Sequence, residues 1–231
     1  MHDPDWIRAL LGVHIAAGFT AFVMAPLALA TAKGGKAHRR WGKIYFWSMA
    51  VVGTTALVLA LYRPILFLAL VAIFSFYAAF AGYRVLFHKN LFAGGKVSWP
   101  DWAAAILTFA CSLALALLGA LRPAMVRHLG IPAMLFGCLG MWIAAKSMRQ
   151  FLHPPQEKMF WWYDHLGSMM VSYIAAWTAF SVTTIGPLFH GSWVIWVLPT
   201  ILGSPAIALT TAYYKRKFTP RSKLGVAVNP S

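Results

Sequence analysis

Three histidines in this chain sit where an imidazole demands an explanation. His14 and His165 fall inside long apolar runs, and His38 lies in a basic stretch at the start of another. An ionisable side chain in hydrocarbon is costly and marks a functional site by default. A neutral imidazole is also a common metal ligand and a proton carrier near neutral pH. His14, His38 and His165 are therefore the candidate ligands of a metal or cofactor. Asp164 stands beside His165 and offers a carboxylate to orient the ring or relay protons. Its alternative duty is a salt bridge to Arg39 or Arg40 that fixes the bundle. Ser168 and Ser172 follow His165 at offsets of three and seven, which puts the three on one stripe as candidate substrate contacts.

Depth separates the candidates. His14 sits roughly 10 Å from the outer end of its run and His165 roughly 7 Å from the inner end of its own, at about 1.5 Å per residue. The two belong to opposite leaflets, so one metal shared between them is not expected. His38 lies near the level of His165 if its helix starts early, and Arg39 and Arg40 beside it suit a carboxylate-bearing cofactor such as heme. Gly12 precedes His14, and Gly18, Ala21 and Ala25 follow at offsets of four, seven and eleven. That row of small residues admits either a close helix or a flat cofactor. On the outer side, His128 and His190 with Arg63, Arg122 and Arg127 could similarly surround His14.

Positioning these groups requires a membrane architecture. Apolar residues make up 60% of the 231 and charged residues only 11%, far below the share in a soluble domain. Seven runs are long enough to cross hydrocarbon as helices, near 7–31, 42–61, 65–86, 102–121, 131–149, 161–185 and 192–213. The connectors carry Gly34-Gly35, Pro64, Gly94-Gly95 with Pro100, Pro132, Pro154-Pro155 and Gly186-Pro187. The expected fold is all-α: one polytopic integral membrane bundle of seven transmembrane helices over residues 1–214, followed by a basic tail over 215–231. Pro199, Gly203 and Pro205 should kink or open the seventh span. The first run, long and without a basic segment before it, reads as a retained span.

Net charge +15 does not point to nucleic acid, because the basic residues are spread between apolar runs and form no patch with stacking aromatics. With seven spans, sixteen Lys and Arg fall on one side and four, Arg8, Arg63, Arg122 and Arg127, on the other. The positive-inside rule then places the N-terminus outside and the C-terminus in the cytoplasm. Tryptophans and tyrosines such as Trp41, Tyr45, Trp99, Trp102, Trp161 and Tyr213 stand at span ends, where amphipathic rings favour the interface. Cys111 and Cys138 lie within apolar runs and are expected to be buried, inert thiols.

Several chemistries are excluded by absence. There is no His-x3-His pair, no Gly-x4-Gly-Lys loop and no Gly-x-Ser-x-Gly turn, and the seventh span has no lysine for a retinal Schiff base. The pattern His14-x3-Gly18, Pro26 and His38-Arg39-x2-Gly42-x2-Tyr45 resembles a family of uncharacterised bacterial multi-span membrane proteins, classed as a domain of unknown function. Asp164-His165 extends the likeness weakly. The resemblance implies the bacterial inner (cytoplasmic) membrane and imports no activity. Histidines near both faces with small residues beside them are remotely similar to membrane cytochromes of the b type, which pair histidines that both lie within helices.

The expectation is a membrane redox protein. His165 and His38 would bind heme b or a metal at an inner site, Asp164 would orient His165, and His14 would serve an outer site, with quinol or another small carrier as partner. Two alternatives stand beside it. One is a transporter or small-molecule receptor with a His14- and Asp164-lined cavity beside a kinked seventh span; the other is an assembly factor for a larger membrane complex.

Overall fold

A computed structural model describes residues 3–126, 129–189 and 192–218. Its seven long helices are α1 (Asp5–Ala30), α2 (Lys36–Tyr62), α3 (Leu66–Arg84), α4 (Trp99–Leu121), α5 (Gly130–Leu152), α6 (Phe160–Thr184) and α7 (Val194–Phe218). No strand occurs among the described residues. Each helix is long and apolar enough to cross a membrane. Even α3, the shortest at 19 residues, rises about 28 Å, close to the thickness of the hydrocarbon core. Successive helices reverse through short turns, and Gly34 (φ 76°) and Gly94 (φ 87°) take the left-handed backbone that two of these turns need.

The helices assemble as three hairpins around α3. α1 packs on α2, α4 on α5 and α6 on α7, while α3 touches α2, α4 and α6. Phe67, Leu70, Phe74 and Tyr77 of α3 enter one core with Leu115 of α4 and Phe136 of α5. Ala79 enters a second core with Ala21, Ala25, Tyr45, Phe46 and Met49. In a bilayer, whose lipid tails are as apolar as these side chains, cohesion of such a bundle would come from close van der Waals packing. Small residues supply it. A Cβ at Gly137 would lie 2.6 Å from the Ala116 backbone nitrogen, and one at Gly203 would lie 2.4 Å from Cδ1 of Ile174. Large apolar side chains such as Phe19, Trp47, Leu61 and Leu209 are exposed on the outside of the bundle, an apolar exterior that suits helices of membrane-spanning length.

Four features depart from the expectations. α2 starts at Lys36, not near residue 42, which places His38 in its first turn. α7 runs unbroken through Pro199 and Pro205 and does not open. It also continues to Phe218, past the expected boundary at 214; the rest of the tail, 219–231, lies outside the described residues. Cys138 is exposed on the outside of α5, and only Cys111 is partly covered. The α4–α5 hairpin meets the α6–α7 hairpin mainly through α3, because α5 has no extensive packing on α6 or α7. A cleft remains between them.

Candidate functional site

His38 and His165 come together where α2 and α6 begin. Their ring centroids are 6.2 Å apart and the rings are nearly perpendicular, at 75°. His38 Nδ1 lies 2.9 Å from the carbonyl oxygen of Ala28, near the end of α1. His165 Nδ1 lies 2.7 Å from the carbonyl oxygen of Gly82, near the end of α3. A carbonyl only accepts, so each Nδ1 carries the proton and donates, and each Nε2 keeps its lone pair while the ring is neutral. A main-chain carbonyl holding Nδ1–H is the arrangement that fixes the tautomer of metal-bound histidines and raises the basicity of the other nitrogen.

Gly82 makes the second of these contacts possible. A Cβ there would meet Ser168 Cβ at 3.1 Å and Met169 Cγ at 3.2 Å, so α3 and α6 approach closely only because the side chain is a hydrogen. The sequence reading passed over Gly82. Its signal, a lone glycine in an apolar run, is shared with packing glycines throughout membrane helices.

His14 is held in the same manner in a different place. Its Nδ1 lies 2.9 Å from Thr55 Oγ1 of α2. The Thr55 hydroxyl directs its own hydrogen to the Val51 carbonyl at 2.6 Å, so the imidazole donates and Nε2 is again left as an acceptor. Along α1, fourteen residues separate His14 from the Ala28 carbonyl that holds His38, an axial distance of about 21 Å. His14 is thus far from the pair. Of the small residues on its face, Ala21 and Ala25 are packed in the core, while a Cβ at Gly12 would meet nothing. His128 and His190, with Arg127, were expected on the same side and lie outside the described residues. Arg63 bonds to Asp3, and Arg8 bonds to Asp5.

Asp164 does not face His165. One residue along a helix is a turn of about 100°, and Asp164 points across the cleft to α5. There Lys146 Nζ donates to Oδ1 at 2.6 Å, and Gln150 Nε2 donates to Oδ2 at 2.6 Å. Both the expected carboxylate–imidazole pairing and the alternative bridge to Arg39 or Arg40 give way to this cross-cleft contact. Arg39 is exposed at the edge of the bundle. Ser172 is fully buried and accepts a 2.7 Å hydrogen bond from the Tyr45 hydroxyl, so it ties α6 to α2. Ser168 lines the cleft.

The cleft has a volume of about 630 Å³. At its α3–α4 wall lies a cluster that the sequence reading did not assemble. Asp101, 3% exposed, accepts from Arg84 Nε at 2.7 Å and Arg84 Nη2 at 2.8 Å. His88 Nε2 lies 3.1 Å from Oδ2, and the Ser98 hydroxyl donates to the same carboxylate. Arg84 ends α3 and Asp101 opens α4, so the bidentate pair closes the loop between them. A hint was present in Ser98-x2-Asp101, the spacing of a capping box. The chain matches no family model, no curated protein and no solved structure.

Proposed function

We propose that the chain is a multi-pass protein of the bacterial inner membrane, with its N-terminus outside, that holds a redox metal centre on His38 and His165 at the cytoplasmic side. The observation that carries this reading is the shared posture of the two rings: both Nδ1–H groups are spent on main-chain carbonyls, and the rings stand 6.2 Å apart. That leaves Nε2 of each ring as the nitrogen that would bind a metal. Among the described residues no third His, Cys, Asp or Glu joins them. Two histidines are too few for a structural zinc, which takes four protein ligands; His38 and His165 would instead hold a heme iron through Nε2.

Heme b is accordingly the favoured occupant, and when bound it supplies one-electron transfer. The residues of the chain do the rest. The carbonyls of Ala28 and Gly82 hold the rings in one tautomer with Nε2 presented. Arg39 and Arg40, exposed next to His38 at the start of α2, would offer guanidinium groups to carboxylates. His14, held by Thr55 near the other face, offers Nε2 as a hydrogen-bond acceptor for quinol or another small carrier, or as a further ligand.

The test is purification in mild detergent followed by an absorption spectrum and metal analysis, with and without added heme. A Soret band lost in both His38→Ala and His165→Ala is the expected result. A colourless, metal-free protein that also takes up no added heme would sink the reading. A second reading, a transporter or small-molecule receptor, is favoured by the largely apolar cleft between the two hairpins, on the other side of α6, which Asp164 lines and His14 does not.

A further inference from the structure

The distribution of acidic residues singles out the cleft. The whole chain has five against twenty Lys and Arg. Asp3 and Asp5 sit at the start of the chain and are bonded to Arg63 and Arg8. The other three, Asp101, Glu157 and Asp164, all line the cleft. Asp101 is consumed by Arg84, Ser98 and His88 and offers nothing to a ligand. Asp164 differs. It is 15% exposed, and its ion-pair partner Lys146, reaching from the opposite hairpin, is 46% exposed. A long, half-exposed ammonium side chain can leave for water at little cost, since such pairs contribute at most about 1 kcal/mol.

The remaining walls suit what would replace it. Tyr77, Phe80, Trp142, Phe160 and Tyr163 present rings to the same space, and aromatic faces attract cations where water is scarce. The protein already realises both contacts with its own ammonium groups. Lys146 Nζ sits on the Asp164 carboxylate, and Lys215 Nζ lies 5.3 Å from the centre of the Tyr163 ring.

We infer that the cleft between the α4–α5 and α6–α7 hairpins is a binding site for an amphiphilic organic cation, whose charge exchanges with Lys146 at Asp164 and whose apolar body lies against the aromatic wall. This rests on the cleft reading above and names its ligand class. Three cations, Arg84, Lys146 and Lys215, line the cleft beside its three carboxylates, so the preference for a cation rests on Asp164, whose half-exposed partner Lys146 can be exchanged, and on the aromatic wall.

Two probes of matched shape and opposite charge, tetraphenylphosphonium and tetraphenylborate, test this by equilibrium dialysis against the purified full-length chain in mild detergent. Saturable binding of the phosphonium alone is expected. Asp164→Asn should weaken it about tenfold, as for loss of one partly desolvated charge partner, whereas Lys146→Met should strengthen it by removing the competitor. Ala208→Trp, which fills the cleft from α7, should abolish it. The opposite signs of the Asp164 and Lys146 variants separate loss of the site from loss of folding. Binding of the borate alone would overturn the inference about charge and leave the cleft as a ligand site. Saturable binding of neither probe would remove both, and phosphonium binding indifferent to all three variants would place it elsewhere.

Discussion

Replacing Gly82 by alanine tests the joint that holds His165. The added methyl would lie 3.1 Å from Ser168 Cβ and 3.2 Å from both Met169 Cγ and the Met169 backbone nitrogen. Two of these three neighbours cannot rotate away, so α3 and α6 must part by a few tenths of an ångström, an overpacking that costs about 1–3 kcal/mol. The Gly82 carbonyl moves with α3, and the 2.7 Å contact to His165 Nδ1 lengthens. Gly167 provides the control on the facing helix, α6: a Cβ there meets nothing within 4 Å. Gly167→Ala should therefore gain up to about 1 kcal/mol from helix propensity. Thermal unfolding in detergent, followed by circular dichroism, reads both changes. Ring ¹⁵N spectra of histidine-labelled protein report whether His165 keeps its proton on Nδ1. Equal stability of the wild type and Gly82→Ala, or a penalty at Gly167 as large as that at Gly82, would refute the picture of α3 and α6 meeting at a glycine.

Two further outcomes follow from the geometry. Asp101→Asn leaves Arg84 and His88 facing a neutral amide in a buried position and should cost about 3 kcal/mol, the scale for breaking a buried ion pair; unchanged unfolding would mean that this cluster does not bind α3 to α4. In a cysteine-free background, a single cysteine at Lys36 should be shielded in intact cells from a membrane-impermeant thiol reagent, and one at Arg63 should react. The reverse pattern would overturn the assigned orientation.

The extent of the fold was legible because hydrocarbon thickness imposes a length on every span. Span ends were less so. At Lys36 the helix begins while the sequence is still basic, since charged side chains extend into the headgroup region without interrupting the backbone. Pro199, Gly203 and Pro205 predicted a kink or a local opening; α7 does not open, because membrane helices tolerate proline where neighbouring groups re-satisfy the freed carbonyls. The candidate site was half visible. Residue type brought out His38 and His165, and an early start of α2 was enough to bring them level. Their partners were hidden because they are main-chain atoms of Ala28 and Gly82, to which no residue type points. The Arg84–Asp101 pair was hidden for another reason: sixteen residues, including two short 3₁₀ turns, lie between its members, and only packing closes that distance. Spacing placed Ser168 and Ser172 on a common stripe, but the α3–α6 contact is narrow enough to divide them, one toward the cleft and the other toward Tyr45.

Asp164 and His165 are chain neighbours that look into different compartments of the bundle, with α6 as the partition. A charge gained or lost beside Asp164 therefore acts on His165 from about one helix diameter away. Two unit charges about 10 Å apart interact by roughly 1.7 kcal/mol at an effective dielectric of about 20. By thermodynamic reciprocity, whatever alters the charge of the histidine pair shifts affinity on the cleft side by the same factor, on the order of tenfold. Any event that changes the net charge on one side of α6 would be registered on the other, although no atom in the partition has to move.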